Sequence, residues 1–253
     1  MNHKNKNRNV NGLKFGKWIV IVLAVLLLTA VIAGFFYSAD YYKALPELEL
    51  KNVITDEIDV KVNKNEAVYR TEKSGKETGL IFYPGGKVEA AAYEPLLKQL
   101  ASDGVTCILV EMPFHLAVFH QDAAQEVIDR HPEIQSWYLA GHSLGGAMAA
   151  SFVSKHPDNI KGLILLAAYP IKELPENFPV LSIYGDQDQV LNKERYHAGI
   201  TTITNLEEVV LSGGNHAQFG NYGVQKGDGT ALITPEEQWE FTANAMKEFI
   251  ENE

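Results

Sequence analysis

The chain has 253 residues, 46% hydrophobic and 21% charged, which is enough for one sizeable core. Its first 17 residues hold five basic side chains (Lys4, Lys6, Arg8, Lys14 and Lys17) and no acid, so against a net charge of −10 the remainder carries −15. A body this acidic, with no basic stripe, excludes nucleic acid as a partner. A single cysteine, Cys107, excludes an intrachain disulfide, and the lack of any Cys/His cluster with metal spacing leaves no metal or other cofactor to expect.

Residues 18–36 run without a charge from Trp18 to Phe36, long enough as a helix to span roughly 28 Å, about the thickness of a bilayer's hydrocarbon core. Trp18 at one end and Phe35, Phe36, Tyr37, Tyr41 and Tyr42 at the other resemble the aromatic belts of a transmembrane anchor. The basic residues 1–17 then form a cytoplasmic tail, and everything after the helix lies outside the membrane. The competing reading is a cleaved signal peptide ending at Ala33 or Ala39, which would release a secreted protein. The run exceeds a usual signal core and Tyr37 spoils the Ala39 site, so an uncleaved single-pass anchor in the cell membrane is favoured. Residues 37–56 are polar and weakly periodic and are expected to form a stalk or linker.

From residue 57 to 253 the pattern is that of one domain. Ile58–Val62 alternates apolar and polar residues as a half-buried strand does, with Ala67–Arg70 as its hairpin partner. Gly79–Tyr83 is a short apolar strand ending in Pro84-Gly85-Gly86-Lys87, and Glu89 to about Asp103 follows as an amphipathic helix. Val105–Glu111 is the next strand, with Cys107 as a small core residue, and a helix is expected over about 121–130. Trp137–Ala140 leads into Gly141-His142-Ser143-Leu144-Gly145-Gly146 and a helix rich in small residues. Gly162–Ala167, Pro179–Tyr184 and Leu206–Leu211 complete the strands. Thr234-Pro235-Glu236-Glu237 opens a terminal helix with an N-cap, a proline at the first helical position and a glutamate placed to close a capping box. Continuous apolar strands alternating with helices predict an α/β fold, a mostly parallel sheet with helices on both faces.

Such sheets place their sites at the carboxyl ends of strands, and four ends here carry suitable residues. Ser143 follows the strand ending at Ala140, within the G-x-S-x-G spacing that lifts a serine hydroxyl clear of a sheet on a tight strand-to-helix turn. Gly185-Asp186-Gln187-Asp188, Gly213-Gly214-Asn215-His216 and Pro84–Lys87 follow three others. A serine is a poor nucleophile until a base takes its proton. An imidazole oriented by a carboxylate does this, so Ser, Asp and His in that chain order are far more specific than the turn alone.

On Gly141–Gly146 and Gly213–His216 the chain resembles the α/β-hydrolase superfamily over about residues 57–252, in its small, cap-less branch of esterases and dienelactone-hydrolase-like proteins. The resemblance implies Ser143 as nucleophile, His216 as general base and Asp188 as orienting acid. Asp188 is preferred because the family's acid stands three residues after the glycine, here Gly185; Asp186 remains the alternative, with turn capping as its other role. The implied oxyanion hole joins the Leu144 N–H to one from the loop after Tyr83, Lys87 or Gly86. Pro84-Gly85-Gly86 stands there in place of the commoner His-Gly.

Among the other histidines, His142 is read as packing under the turn. His115, Phe114, Tyr169 and Phe219 fall just after strand ends and are candidate substrate contacts. Residues 221–229 have too few spaced carboxylates for calcium and are read as a structural loop beside His216. The short connection between Ala167 and Pro179 leaves no room for a lid domain. The expectation is a membrane-tethered serine hydrolase cleaving an ester or related acyl bond of a small-molecule or lipid-like substrate. A non-catalytic binding protein on the same fold, and a peptidase or transacylase using the same residues, are the alternatives.

Overall fold

The computed structural model describes residues 6–46, 58–72, 74 and 78–253, with backbone alone at 6–16, 30, 33, 35, 36 and 38. The chain divides into two units, Met1–Asp40 and Tyr41–Glu253. The first contains helix α1 (Lys6–Ala39), which takes in the whole uncharged run 18–36. Taken over the described residues, no helix is long and apolar enough to cross a membrane. Residues 30, 33, 35 and 36 of the expected anchor lie outside the described side chains, as do residues 1–5 of the expected tail and 47–57 of the expected stalk and its end.

The second unit is built on eight strands: β1 (Asp59–Val62), β2 (Glu66–Arg70), β3 (Thr78–Tyr83), β4 (Thr106–Val110), β5 (Ser136–His142), β6 (Gly162–Leu166), β7 (Pro179–Gly185) and β8 (Asn205–Leu211). Their order is β1-β2-β4-β3-β5-β6-β7-β8. β1 and β2 pair antiparallel, as does β2 with β4, and every later pair is parallel. The helices are α2 (Glu94–Ser102), α3 (Ala123–Arg130), α4 (Leu144–Val153), α5 (Lys193–Ile200) and α6 (Pro235–Asn252).

Side-chain alternation divides the core in two. Leu80 and Phe82 of β3 join Cys107, Ala140, Ile164 and Leu181 against α2 and α6, through Leu97, Leu100, Trp239 and Met246. Ile81 and Tyr83 face the other way, with Ile108, Leu139, Leu163 and Val180 against α3 and α4, through Val127, Met148 and Phe152. A strand buried on both faces cannot show polar alternation, which is why these segments read as unbroken apolar runs. Cys107 sits wholly inside the first layer, and burial pushes its thiol up. Thr234 Oγ1 accepts the Glu237 N–H and the Glu237 carboxylate accepts the Thr234 N–H, closing the expected capping box on α6.

Tyr41 and Tyr42, read in the sequence as part of an aromatic belt, pack on residues of the second unit. Tyr41 stacks on His115 with ring centroids 3.9 Å apart, and Tyr42 packs on Tyr222.

Candidate active site

The elbow after β5 is set by steric fit. Ser143 adopts φ 51° and ψ −119°, a conformation costly for a residue with a Cβ, and its N–H donates to the Leu166 carbonyl at 2.9 Å. A Cβ on Gly145 would stand 2.2 Å from the Tyr83 carbonyl oxygen, and one on Gly141 2.6 Å from the backbone of Gly145. Glycine at these two positions lets β5, α4 and the end of β3 come together, and the serine is left on the crest.

β7 and β8 deliver the acid and the base side by side. Asp188 and His216 are both buried, and Asp188 Oδ2 accepts from His216 Nδ1 at 2.8 Å. The other carboxylate oxygen accepts the N–H groups of Val190 and Leu191, each at 2.8 Å. The carboxylate is thus held by its own loop and aimed at the imidazole. Asp186 is exposed and turned away, accepting the Gly213 N–H at 2.8 Å and the Gln187 amide at 2.9 Å. The Gln187 bond first, then the Gly213 N–H, holds its carboxyl below the usual range. Asp228 stitches the acid loop to the base loop. Its carboxylate accepts from Gln189 N–H at 3.3 Å on one side and Ala217 N–H at 2.8 Å on the other. Residues 221–229 therefore serve as a brace, and no cluster of metal-binding side chains occurs among the described residues.

Leu144 is the first residue of α4, so its N–H has no acceptor within the helix and stands beside Ser143. Across from it, a Cβ on Gly86 would meet the Leu144 side chain at 2.8 Å, which puts Gly86 against the same crest. The Lys87 N–H is engaged elsewhere, donating to the His115 carbonyl at 2.8 Å. Of the two residues expected to complete an oxyanion hole, Gly86 is the one among them without such a bond to a described residue.

Under the elbow lies a buried polar pair. Tyr93 Oη accepts the Gly85 N–H at 3.0 Å and shares a hydrogen bond of 2.7 Å with His142 Nδ1. Burial, with the His216 imidazole nearby, holds the His142 pKa well below the ordinary histidine value. Its ring lies 4.5 Å from that of His216 and 5.5 Å from Phe219, centroid to centroid.

Ser143 and His216 open onto one cavity of about 310 Å³. Its walls are mostly apolar: Leu144, Met148, Tyr169, Ile171, Val190 and Leu191. Of the four expected substrate contacts, Tyr169 lines this space. Phe219 is fully buried, a core residue beneath His142, because the turn after His216 folds it inward. Phe114 is 63% exposed and meets Phe119 edge-on, and His115 lies under Tyr41. Ile171, Val190 and Leu191 were not visible as contacts in the sequence, where only their position just past strand ends marked them. Residues 167–178 carry no helix or strand, and Tyr169 and Ile171 of that connection form part of the cavity wall.

Residues 79–240 match a family model described as "Alpha/beta hydrolase family". Over 115 residues the chain is 30% identical to a putative non-heme haloperoxidase of Mycobacterium phage D29, covering 42% of this chain and 41% of that protein. Over 114 residues it is 28% identical to a pimeloyl-[acyl-carrier protein] methyl ester esterase of Chromobacterium violaceum, covering 43% of this chain and 44% of that protein. The chain thus spans less than half the length of either relative. Among solved structures, Est1E from Butyrivibrio proteoclasticus with ferulic acid bound superposes with a TM-score of 0.58 at 17% identity, over 79% of this chain and 97% of that one. At that identity the likeness is one of fold.

Proposed function

The chain belongs to the alpha/beta hydrolase family, and from that premise we propose that it is a serine hydrolase cleaving an ester or related acyl bond. The observation that carries the proposal is the Asp188–His216 hydrogen bond behind a cavity that Ser143 and His216 share. In this reading His216 Nε2 takes the Ser143 proton as the hydroxyl attacks the acyl carbon, and Asp188 stabilises the imidazolium. The tetrahedral oxyanion is held by the Leu144 and Gly86 N–H groups, preorganised where the charge develops. His216 then returns the proton to the leaving alcohol, an acyl-enzyme remains, and water activated by the same imidazole releases the acid. No cofactor takes part. The apolar cavity suits a small-molecule or lipid-like acyl group, and its open mouth accommodates a bulky leaving group.

An activated fluorophosphonate tests the assignment. The folded wild type is expected to label covalently and Ser143→Ala not at all. A folded wild type that stays unlabelled would turn the reading to a binding protein. Product analysis with added alcohol or amine separates hydrolysis from acyl transfer.

We also propose that α1 tethers the domain to the outer face of the cell membrane. Leu23, Leu26, Leu27 and Leu28 are all exposed on a helix without an apolar or polar side, an arrangement suited to lipid. Lys4, Lys6, Arg8, Lys14 and Lys17, which precede the uncharged run 18–36, favour a cytoplasmic N-terminus. The intact mass of membrane-extracted protein distinguishes the anchor from a cleaved signal that yields a secreted domain.

A further inference from the structure

The segment Tyr41–Pro46 makes more contacts than a linker requires, and they converge on the loop that carries Gly86. Tyr42 forms a parallel bridge with Val88: its N–H donates to the Lys87 carbonyl at 2.7 Å, and its carbonyl accepts the Glu89 N–H at 2.9 Å. The Ala44 N–H donates to the Glu89 carboxylate at 2.8 Å. Leu45 N–H donates to the Asn221 carbonyl at 2.8 Å, which fastens the far end of the segment to the loop beyond His216. Tyr41 stacks on His115, and the His115 carbonyl accepts the Lys87 N–H.

The loops so clamped are strained. Lys87, Phe114 and His115 all have φ between 55° and 61°, in the left-handed region that residues with a Cβ avoid. Such conformations persist only where surrounding contacts over-determine them. The segment supplies such contacts on both strained loops, one through the Tyr41 ring and one through the Tyr42 backbone. The Gly86 N–H shares its peptide group with the Gly85 carbonyl, which accepts the Val88 N–H at 3.3 Å, and Val88 is the residue that Tyr42 bridges, so the clamp reaches the peptide that carries this donor.

We propose that Tyr41 and Tyr42 are positioning residues for the oxyanion hole, coupling the chain just after α1 to the Gly86 N–H. The proposal rests on the serine-hydrolase reading. Oxyanion donors act on charge that appears only in the transition state, so misplacing one lowers kcat more than it raises KM. A displacement near 1 Å is enough to cost on the order of 100-fold.

The test uses the purified full chain with p-nitrophenyl acetate, measuring kcat, KM and melting temperature. Tyr41→Ala removes the stacking ring, Tyr41→Phe keeps it, and Tyr42→Pro removes the N–H that holds the Lys87 carbonyl. The expected result is a kcat lower by about 10- to 100-fold in Tyr41→Ala and Tyr42→Pro, with KM within about threefold and recovery in Tyr41→Phe. Fluorophosphonate labelling should slow in parallel at temperatures where each variant is folded. Folded Tyr41→Ala and Tyr42→Pro with wild-type kcat would overturn the proposal, as would a kcat loss that Tyr41→Phe shares. An inactive, unlabelled wild type would instead mark failure of the hydrolase reading.

Discussion

Replacing Asp188 and Asp186 separately by asparagine discriminates two carboxylates only two residues apart. In Asp188→Asn the Oδ1 atom can still accept from the Val190 and Leu191 N–H groups, so the loop keeps its anchor. The atom facing His216 becomes an NH2 donor, which meets Nδ1 as an acceptor and drives the imidazole proton to Nε2, the nitrogen that must be free to take the serine proton. The corresponding change in a serine-protease triad costs about 10⁴ in kcat, equivalent to roughly 5.5 kcal/mol of transition-state stabilisation. Loss of a charged acceptor for buried donors costs about 2 kcal/mol of stability, a fall in melting temperature of about 4–8 °C for a domain of this size. Asp186 is exposed and bonds to Gly213 and Gln187 rather than to His216, so Asp186→Asn should leave kcat within about threefold. Both variants are assayed with saturating p-nitrophenyl acetate at 25 °C, beside a thermal melt. A folded Asp188→Asn within tenfold of wild type, or a collapse of activity in Asp186→Asn alone, would refute the argument.

Buried His142 should make stability depend on pH. Its folded pKa is depressed, so below the unfolded value of about 6.5 the unfolded chain binds the proton first, and stability present above that pH is lost as it falls. The half-buried His115, depressed by desolvation, acts in the same direction. The slope attributable to His142 approaches about 1.4 kcal/mol per pH unit, and melts between pH 7.5 and 5.5 should show it flattened in His142→Asn, which still offers Tyr93 an acceptor. An unchanged slope in that variant would contradict the assignment. Ile171 lines the cavity yet is 56% exposed, so Ile171→Trp should narrow the site without unfolding it. Octanoyl ester turnover should fall at least about tenfold relative to acetyl ester, and an unchanged ratio would remove Ile171 from the acyl path. Gly145→Ala places a Cβ 2.2 Å from one backbone oxygen and 2.3 Å from another, neither able to yield. A loss of about 3 kcal/mol or more, or failure to fold, is expected, and a wild-type melt would show that the elbow can relax.

What could be read from the sequence is what packing forces on it. Gly141 and Gly145 announce the elbow because a methyl group at either would strike backbone. β3 to β7 are legible as apolar runs because both of their faces are covered. β8, at the sheet edge, leaves Glu207, Glu208 and Val210 exposed and shows itself less plainly. α5 was not legible at all, since it buries only Tyr196 and offers no apolar stripe to recognise. Ser143, Asp188 and His216 were legible as candidates because each stands just past a strand whose end could be located.

The surroundings of those three residues depend on loop paths, and a local pattern does not encode them. Lys87 and Gly86 look equivalent as oxyanion donors until the chain at residues 112–115 turns back and its His115 carbonyl takes the Lys87 N–H. Phe219 looks like a pocket wall until the turn after His216 sends its ring beneath His142. Tyr41 and Tyr42 follow an apolar run and read as its aromatic border, because adjacency along the chain is all that a sequence displays. Their partners, His115, Val88 and Tyr222, lie 46 to 180 positions further on. Two left-handed residues on one loop and one on another are likewise invisible in the sequence, since lysine, phenylalanine and histidine carry no mark of positive φ. Strain of that kind has to be held by contacts from outside the loops, and the segment that follows α1 is where the structure supplies them.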